Sequence, residues 1–225
     1  MVPPVFRPVA EHALHVDFSE VIDPEAQAAV LALDRSLADR PIPGQRETVP
    51  AYTSLLVTFD PLMTDHAAVA SALRARIGAG PPERRAGALH TIGVCYDPDL
   101  APDLAEAATR LGLDTEAVIA AHLSGTYDVA MYGFAPGYAY LAGVPASIRL
   151  PRRSVARRGV SAGSVIIAGP QCLVTTLTMP TGWWVIGRSP DRILDAASDR
   201  PFRFDIGDRV RFRRISRAQF EEGQP

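Results

Sequence analysis

His12-Ala-Leu-His-Val-Asp-Phe18 alternates, with Leu14, Val16 and Phe18 on one side. A period of two is the signature of a half-buried strand. Asp23-Pro24 then reads as an N-cap followed by proline at the first helical position, and Ala26, Val30, Leu33 and Leu37 recur at helical spacing. Pro41-Ile-Pro-Gly44 ends that helix. Strands are expected over 45–49 and 52–59, split by Pro50. Thr64 or Asp65 caps a second helix with Val69, Leu73 and Ile77 inward, and Gly78-Ala-Gly-Pro-Pro82 breaks it. A strand over 90–96 completes a β-α-β-β-α-β order, which predicts a ferredoxin-like α+β domain. The boundary falls near residue 88, giving domains over 1–88 and 89–225, although the last strand can serve either.

Beyond that point the pattern changes. Helices are expected over 102–111, stopped by Gly112, and over 115–123, capped by Asp114. Short β runs follow at 127–132, 165–168, 172–177, 183–186 and 209–215, with Gly207-Asp208 as a turn before the last. Many short strands punctuated by glycine and proline predict a closed barrel.

Composition narrows the function. The 225 residues are 47% hydrophobic and 21% charged, enough apolar content for packed cores. A net charge of −2 argues against a nucleic-acid-binding domain. No apolar run approaches the ~20 residues that span a bilayer, and the N-terminus lacks the apolar core of a secretory signal, so a cytoplasmic location is expected. Cys95 and Cys172 make neither a disulfide framework nor a zinc set, and the five histidines show no ligand spacing, so no metal site is expected. All 23 basic residues are arginine. Without lysine there is no P-loop or Schiff-base lysine, and anions must be met by guanidinium groups, backbone N–H groups or helix N-termini.

Four segments have the composition of a binding site. Tyr132-Gly-Phe-Ala-Pro-Gly-Tyr-Ala-Tyr-Leu-Ala-Gly143 interleaves glycines with aromatics, suited to a ligand wall or equally to a barrel corner. Arg149-Leu-Pro-Arg-Arg-Ser-Val-Ala-Arg-Arg158 packs five arginines before Gly159-Val-Ser-Ala-Gly-Ser164, suiting a carboxylate or phosphate, or simply a solvated loop. Arg188 follows the apolar run of Thr181-Gly-Trp-Trp-Val-Ile-Gly-Arg-Ser-Pro190 and emerges at a strand end, as a rim arginine or a surface ion pair. His122 ends its helix on the face of Val118 and Ile119, as a half-buried histidine or a general base with an unseen partner.

Several pieces in order resemble one family. They are Val49-Pro-Ala-Tyr-Thr-Ser-Leu-Leu-Val57 with Phe59-Asp-Pro61, Val94-Cys-Tyr96, Pro102-Asp-Leu104, Tyr132-Gly-Phe-Ala-Pro-Gly137, Ala162-Gly-Ser-Val165, Ile186-Gly-Arg-Ser-Pro190 and Gly207-Asp-Arg-Val-Arg-Phe212. Over about residues 10–216 the chain resembles the family of 5-oxoprolinase B subunits, also described as the kinase-A inhibitor or allophanate hydrolase subunit 1 family. The resemblance implies an N-terminal α+β domain and a C-terminal cyclophilin-like β-barrel. It implies a hydrolase component, inactive alone, that opens 5-oxoproline to glutamate together with two partners. These are the A component of 5-oxoprolinase and a C component of the allophanate hydrolase subunit 2 type. Mg and ATP belong to the assembled complex. Its alternatives are a non-enzymatic inhibitor of a sensor histidine kinase and half of a biotin-dependent carboxyltransferase, and the absence of lysine means no covalent biotin on this chain. By motif position it implies His122, Arg188 and Arg152 as catalytic, and Gly133, Phe134, Pro136, Gly137, Arg157 and Gln171 as substrate-binding. The chain departs from the family pattern at Cys172, Leu173, Thr175 and Trp184, and at Ser161 and Gly159. Trp184 is expected to alter the pocket or to anchor a partner.

Overall fold

The computed structural model describes residues 3–78 and 87–223. The chain divides into two compact units, Met1–Ala86 and Gly87–Pro225.

The first unit runs β1 (Val5–Val9), β2 (Ala13–Asp17), α1 (Pro24–Asp39), β3 (Gln45–Pro50), β4 (Ser54–Phe59) and α2 (His66–Gly78). Its antiparallel sheet has the order β1-β2-β4-β3. Alternation decides the buried face: Leu14 and Val16 of β2 and Leu55, Val57 and Phe59 of β4 meet Val30, Leu33 and Leu37 of α1 and Val69 and Leu73 of α2. Asp23 caps α1, its carboxylate accepting from the Ala26 N–H at 3.0 Å. Of the two candidates for the second cap, Asp65 serves, accepting from the Ala68 N–H at 2.8 Å. The expected breaker at 79–82 lies outside the described residues.

The element order differs from the ferredoxin-like one expected. The place beside β2 is filled by β1, from the N-terminal side. This strand has almost no buried face and carries Pro8, which an edge strand tolerates because one side of its backbone needs no partner. Without alternation it has no strand signature. The strand expected at 90–96 instead belongs wholly to the second unit.

That unit comprises β5 (Leu89–Val94), α3 (Leu104–Leu111), α4 (Thr115–Ser124), β6 (Tyr127–Tyr132), β7 (Ala139–Ala142), a 3-10 turn at Ala146–Ile148, β8 (Arg157–Val160), β9 (Ser164–Ala168), β10 (Gln171–Val174), β11 (Met179–Thr181), β12 (Trp184–Arg188), β13 (Arg209–Arg214) and α5 (Arg217–Glu222). Seven strands form one sheet in the order β12-β9-β10-β7-β6-β13-β5. β5 pairs in parallel with β13 along its whole length, and Ile92 and Val94 enter the second unit's core. The Asp208 carboxylate fixes the start of this strand by accepting from the Ala88 N–H at 2.8 Å and pairing with His90 Nε2 at 2.7 Å. At the far end, the Cys95 N–H donates to the Arg188 carbonyl at 2.8 Å and the Arg188 N–H to the Cys95 carbonyl at 2.9 Å. These two bonds join the first and last strands, so the sheet curls into a nearly closed barrel, compatible with a cyclophilin-like one. Gly187 permits the approach, since a Cβ there would lie 2.6 Å from a methyl of Val94. α3 and α4 contribute Leu104, Ala107, Val118 and Ile119 to the barrel core. Among the described residues no helix is long and apolar enough to cross a membrane.

Candidate functional site

Arg188 ends β12 at the seam of the barrel and lines a cleft of about 370 Å³. Ala162, Gly163, Thr175, Thr176, Ser189, Asp191 and Leu194 also line it. The guanidinium donates through Nε to the Ala162 carbonyl at 3.2 Å and lies 5.8 Å from the Phe220 ring centre. Among the described residues no carboxylate pairs with it. With Nε spent on a carbonyl, the two terminal NH₂ groups keep their donors for a ligand, which is the geometry that grips a carboxylate or phosphoryl group end-on. Asp191 is committed elsewhere: it accepts from the Gly93 N–H at 2.8 Å and from Arg203 at 2.9 Å.

The carbonyl that aims Arg188 sits on a turn held by hydroxyl groups. Thr175 Oγ1 donates to the Ser161 carbonyl at 2.8 Å and accepts from the Ser164 N–H at 2.9 Å. Ser164 Oγ donates to the same carbonyl at 2.8 Å. Gly163, at φ 82°, turns the chain where a Cβ would sit 2.4 Å from the Ser189 carbonyl oxygen. Thr175, read from sequence only as a departure from the family pattern, is therefore a support for the arginine.

Part of the glycine-rich loop borders this cleft. A methyl at Gly137 would lie 3.1 Å from both Thr176 Cγ2 and Leu194 Cβ, and Thr176 Oγ1 donates to the Pro136 carbonyl at 2.6 Å. Gly133 is held in a turn, its N–H donating to the Tyr138 carbonyl at 3.2 Å. Phe134 follows at φ 70°, with its side chain largely in solvent.

The other expected residues lie apart from this cleft. β12 and β9 run antiparallel with Arg188 beside Ser164 and Trp184 beside Ile167. Gln171 pairs with Ala168 at the end of β10 away from Thr175, so about four strand residues, or ~13 Å, separate it from the Arg188 end of the sheet. Arg152 is exposed and lies 5.9 Å from the Trp183 ring, near the Trp184 end of β12. Arg157 is half-buried and engaged. Its guanidinium grips Asp103, through Nε at 3.1 and 3.3 Å and through an NH₂ group. Arg153 approaches the same carboxylate at 3.1 Å, and the Val185 N–H donates to it at 2.9 Å. Asp103 is fully buried, and these donors compensate its desolvation. The only hint of this network in the sequence is an aspartate inside Pro102-Asp-Leu104. Trp184 is buried between Arg153 and Arg110, 4.6 and 5.2 Å from its ring, and its Nε1–H donates to the Pro151 carbonyl at 2.7 Å. An indole so enclosed offers no exposed anchor.

His122 is fully buried in the barrel core. Its ring stacks on Phe212 at 4.4 Å, Tyr96 OH lies 2.7 Å from Nδ1, and Cys172 Sγ lies 3.9 Å from Nε2. Burial disfavours the imidazolium and pulls its pKa down to about 3, and the same burial pushes the Cys172 thiol and Tyr96 hydroxyl up. The neutral ring is bracketed by the Tyr96 hydroxyl at Nδ1 and the Cys172 sulfur at Nε2. It meets no Arg188 contact. Among the described residues no group of three His, Cys, Asp or Glu side chains gathers to hold a metal ion.

The sequence and the fold of this two-unit chain match a known class. A family model described as carboxyltransferase domain, subdomain C and D, covers residues 4–204. The chain belongs to that family. A Bacillus subtilis (strain 168) protein named as the B subunit of 5-oxoprolinase is 32% identical over 223 residues, covering 94% of this chain and 93% of that protein. The crystal structure of TTHA0988 is 36% identical with a TM-score of 0.80, covering 92% of this chain but 40% of that one, so this chain spans two fifths of its length. The Kluyveromyces lactis urea amidolyase covers 97% of this chain and 15% of its own at a TM-score of 0.74 and 15% identity, a likeness of fold alone.

Proposed function

We propose that this chain is the B-type member of a 5-oxoprolinase assembly, in which 5-oxoproline is opened to glutamate at the expense of ATP. The observation that carries the reading is the uncommitted Arg188 guanidinium facing the cleft, in a chain related over nearly its full length to a protein named as a 5-oxoprolinase B subunit. 5-Oxoproline is a cyclic amide bearing a carboxylate. The end-on fork of Arg188 is matched to that carboxylate. The amide resists water, so phosphorylation of its oxygen from Mg-ATP, a substrate of the assembly, makes the carbon open to attack. Arg188 binds and orients; no side chain of the cleft is a free general base, because Asp191 is already bonded to Gly93 and Arg203. The remaining catalytic groups come from partners of the A and C types. His122, neutral and enclosed, shapes the barrel core behind the site. Arg152, with Gln171, lies on the other end of the sheet and serves the partner contact.

The test is release of glutamate and ADP from 5-oxoproline and Mg-ATP by this chain mixed with A and C candidates, complete and with each component omitted. Turnover that disappears without this chain, and that Arg188→Ala reduces by ~100-fold or more, is expected for a lost charge-assisted anchor at a desolvated site. Full turnover in its absence overturns the proposal. 2-Pyrrolidinone, which lacks the carboxylate, should be a poor substrate for the native assembly and no worse for the Arg188→Ala one.

A further inference from the structure

The outer face of β13 carries a feature that the proposed reaction does not use. Val210 and Phe212 point into the barrel core, which turns Arg209, Arg211 and Arg213 outward. Successive members of this row are ~6.6 Å apart, the two-residue repeat of a strand. Several other arginines of the unit are paired: Arg214 with Glu116, Arg217 with Asp99, Arg203 with Asp191 and Arg157 with Asp103. The three in the row have no carboxylate within ion-pair distance among the described residues. Arg211 donates through Nε to Thr126 Oγ1 at 3.1 Å, which leaves its terminal NH₂ groups facing outward. Asp128 stands opposite Arg209 on β6 without pairing to it. On the other side, β5 sets Leu89, Thr91 and Gly93 beside the three arginines in register. The result is a basic row whose β5 flank is exposed at Leu89 and Thr91 and closes at the buried Gly93.

We infer that this face is a docking track for an extended acidic segment of a partner protein. An extended peptide repeats its side chains at the same ~6.6 Å, so carboxylates at alternate positions meet Arg209, Arg211 and Arg213 one for one. The row is short, the whole chain is net negative at −2, and no aromatic side chain stands on this face of β5 or β13 for a base to stack on. These points favour a peptide over a nucleic acid, whose binding rests on long basic surfaces and stacking platforms. The track does not depend on the 5-oxoprolinase reading.

The probe is a fluorescein-labelled peptide with alternating aspartate, Asp-Gly-Asp-Gly-Asp-Gly-Asp, titrated with the full chain and read by anisotropy, beside a lysine counterpart and an oligo-dT of similar charge. Binding of the acidic peptide that weakens with added salt, and at least ~10-fold weaker binding by the Arg209→Ala/Arg211→Ala/Arg213→Ala variant, is expected. The three side chains are exposed, so the variant should keep the native melting temperature, which separates lost docking from lost fold. No binding by the native chain, equal binding by the triple variant, or tighter binding of oligo-dT than of the peptide would each overturn the inference.

Discussion

His122 offers the sharpest test of how the barrel is built. The buried ring has its pKa drawn down to about 3 from the ordinary 6.5. A base held neutral in the folded state is protonated first in the unfolded chain. Stability from this residue is therefore complete above pH 6.5 and falls as the pH drops from there toward 3. Between pH 7 and pH 5 the folded ring stays neutral, while the unfolded one goes from mostly neutral to almost fully charged. The difference amounts to ~2 kcal/mol, from 1.36 kcal/mol per pH unit over about 1.5 units. Other groups titrate over the same range, so the measurement must be differential. Glutamine can still accept from Tyr96 and donate toward Cys172 but carries no proton to exchange. Urea unfolding of the native chain and of His122→Gln at pH 7 and pH 5 should show the native chain losing ~2 kcal/mol more than the variant over that step. The His122 Cε1 resonance should not move between pH 5 and 8. A pH dependence shared equally by the two proteins, or a resonance that titrates with a midpoint between 5.5 and 7.5, would refute the reasoning and return His122 to candidacy as a general base.

Other expectations follow from the same contacts. Asp103→Ala leaves Arg153 and Arg157 facing a cavity and the Val185 N–H without its acceptor; a loss of ~3–5 kcal/mol is expected, seen as a melting temperature lowered by ~6–20 °C. Gly163→Ala forces a left-handed backbone on alanine and drives a methyl into the Ser189 carbonyl, which should cost ~2–4 kcal/mol by thermal unfolding. Thr175→Val frees the Ser161–Ser164 turn, and with it the Ala162 carbonyl that aims Arg188. In an active assembly it should raise KM for 5-oxoproline several-fold more than it lowers kcat, and Thr175→Ser should restore KM. A fall in kcat alone would place Thr175 outside the positioning of the carboxylate.

Most of the helices and barrel strands were legible because their signals are local. Asp23-Pro24 and Asp114 are caps whose chemistry works within one turn, and the run at 127–132 is a short β-prone stretch bounded by glycines. β1 was not, because an exposed edge strand with proline has no alternation and gains its pairing from β2 alone. The strand at 90–96 was legible as a strand but not as to its owner, which is decided by β13 more than a hundred residues later. Arg188 could be picked out as a rim arginine since a strand end is a local property. The roles of Arg157 and Thr175 depended on partners distant in sequence, Asp103 and Ser161, and no spacing rule connects them. His122 shows the limit most clearly. A histidine on the apolar side of a helix is compatible with catalysis or with burial, and only the positions of Tyr96, Phe212 and Cys172 decide between them.

The pair of bonds between Cys95 and Arg188 has one more consequence. The residue whose guanidinium is proposed to take the substrate carboxylate uses its own backbone to stitch the cylinder shut. Occupancy and closure therefore share one hinge point, and a ligand that needs the stitched form strengthens it by RT ln(1 + [L]/Kd). Filling the cleft should slow amide exchange first at Cys95 and Arg188, before any change reaches the rest of the barrel wall, so that this seam acts as a gauge of whether the site is full.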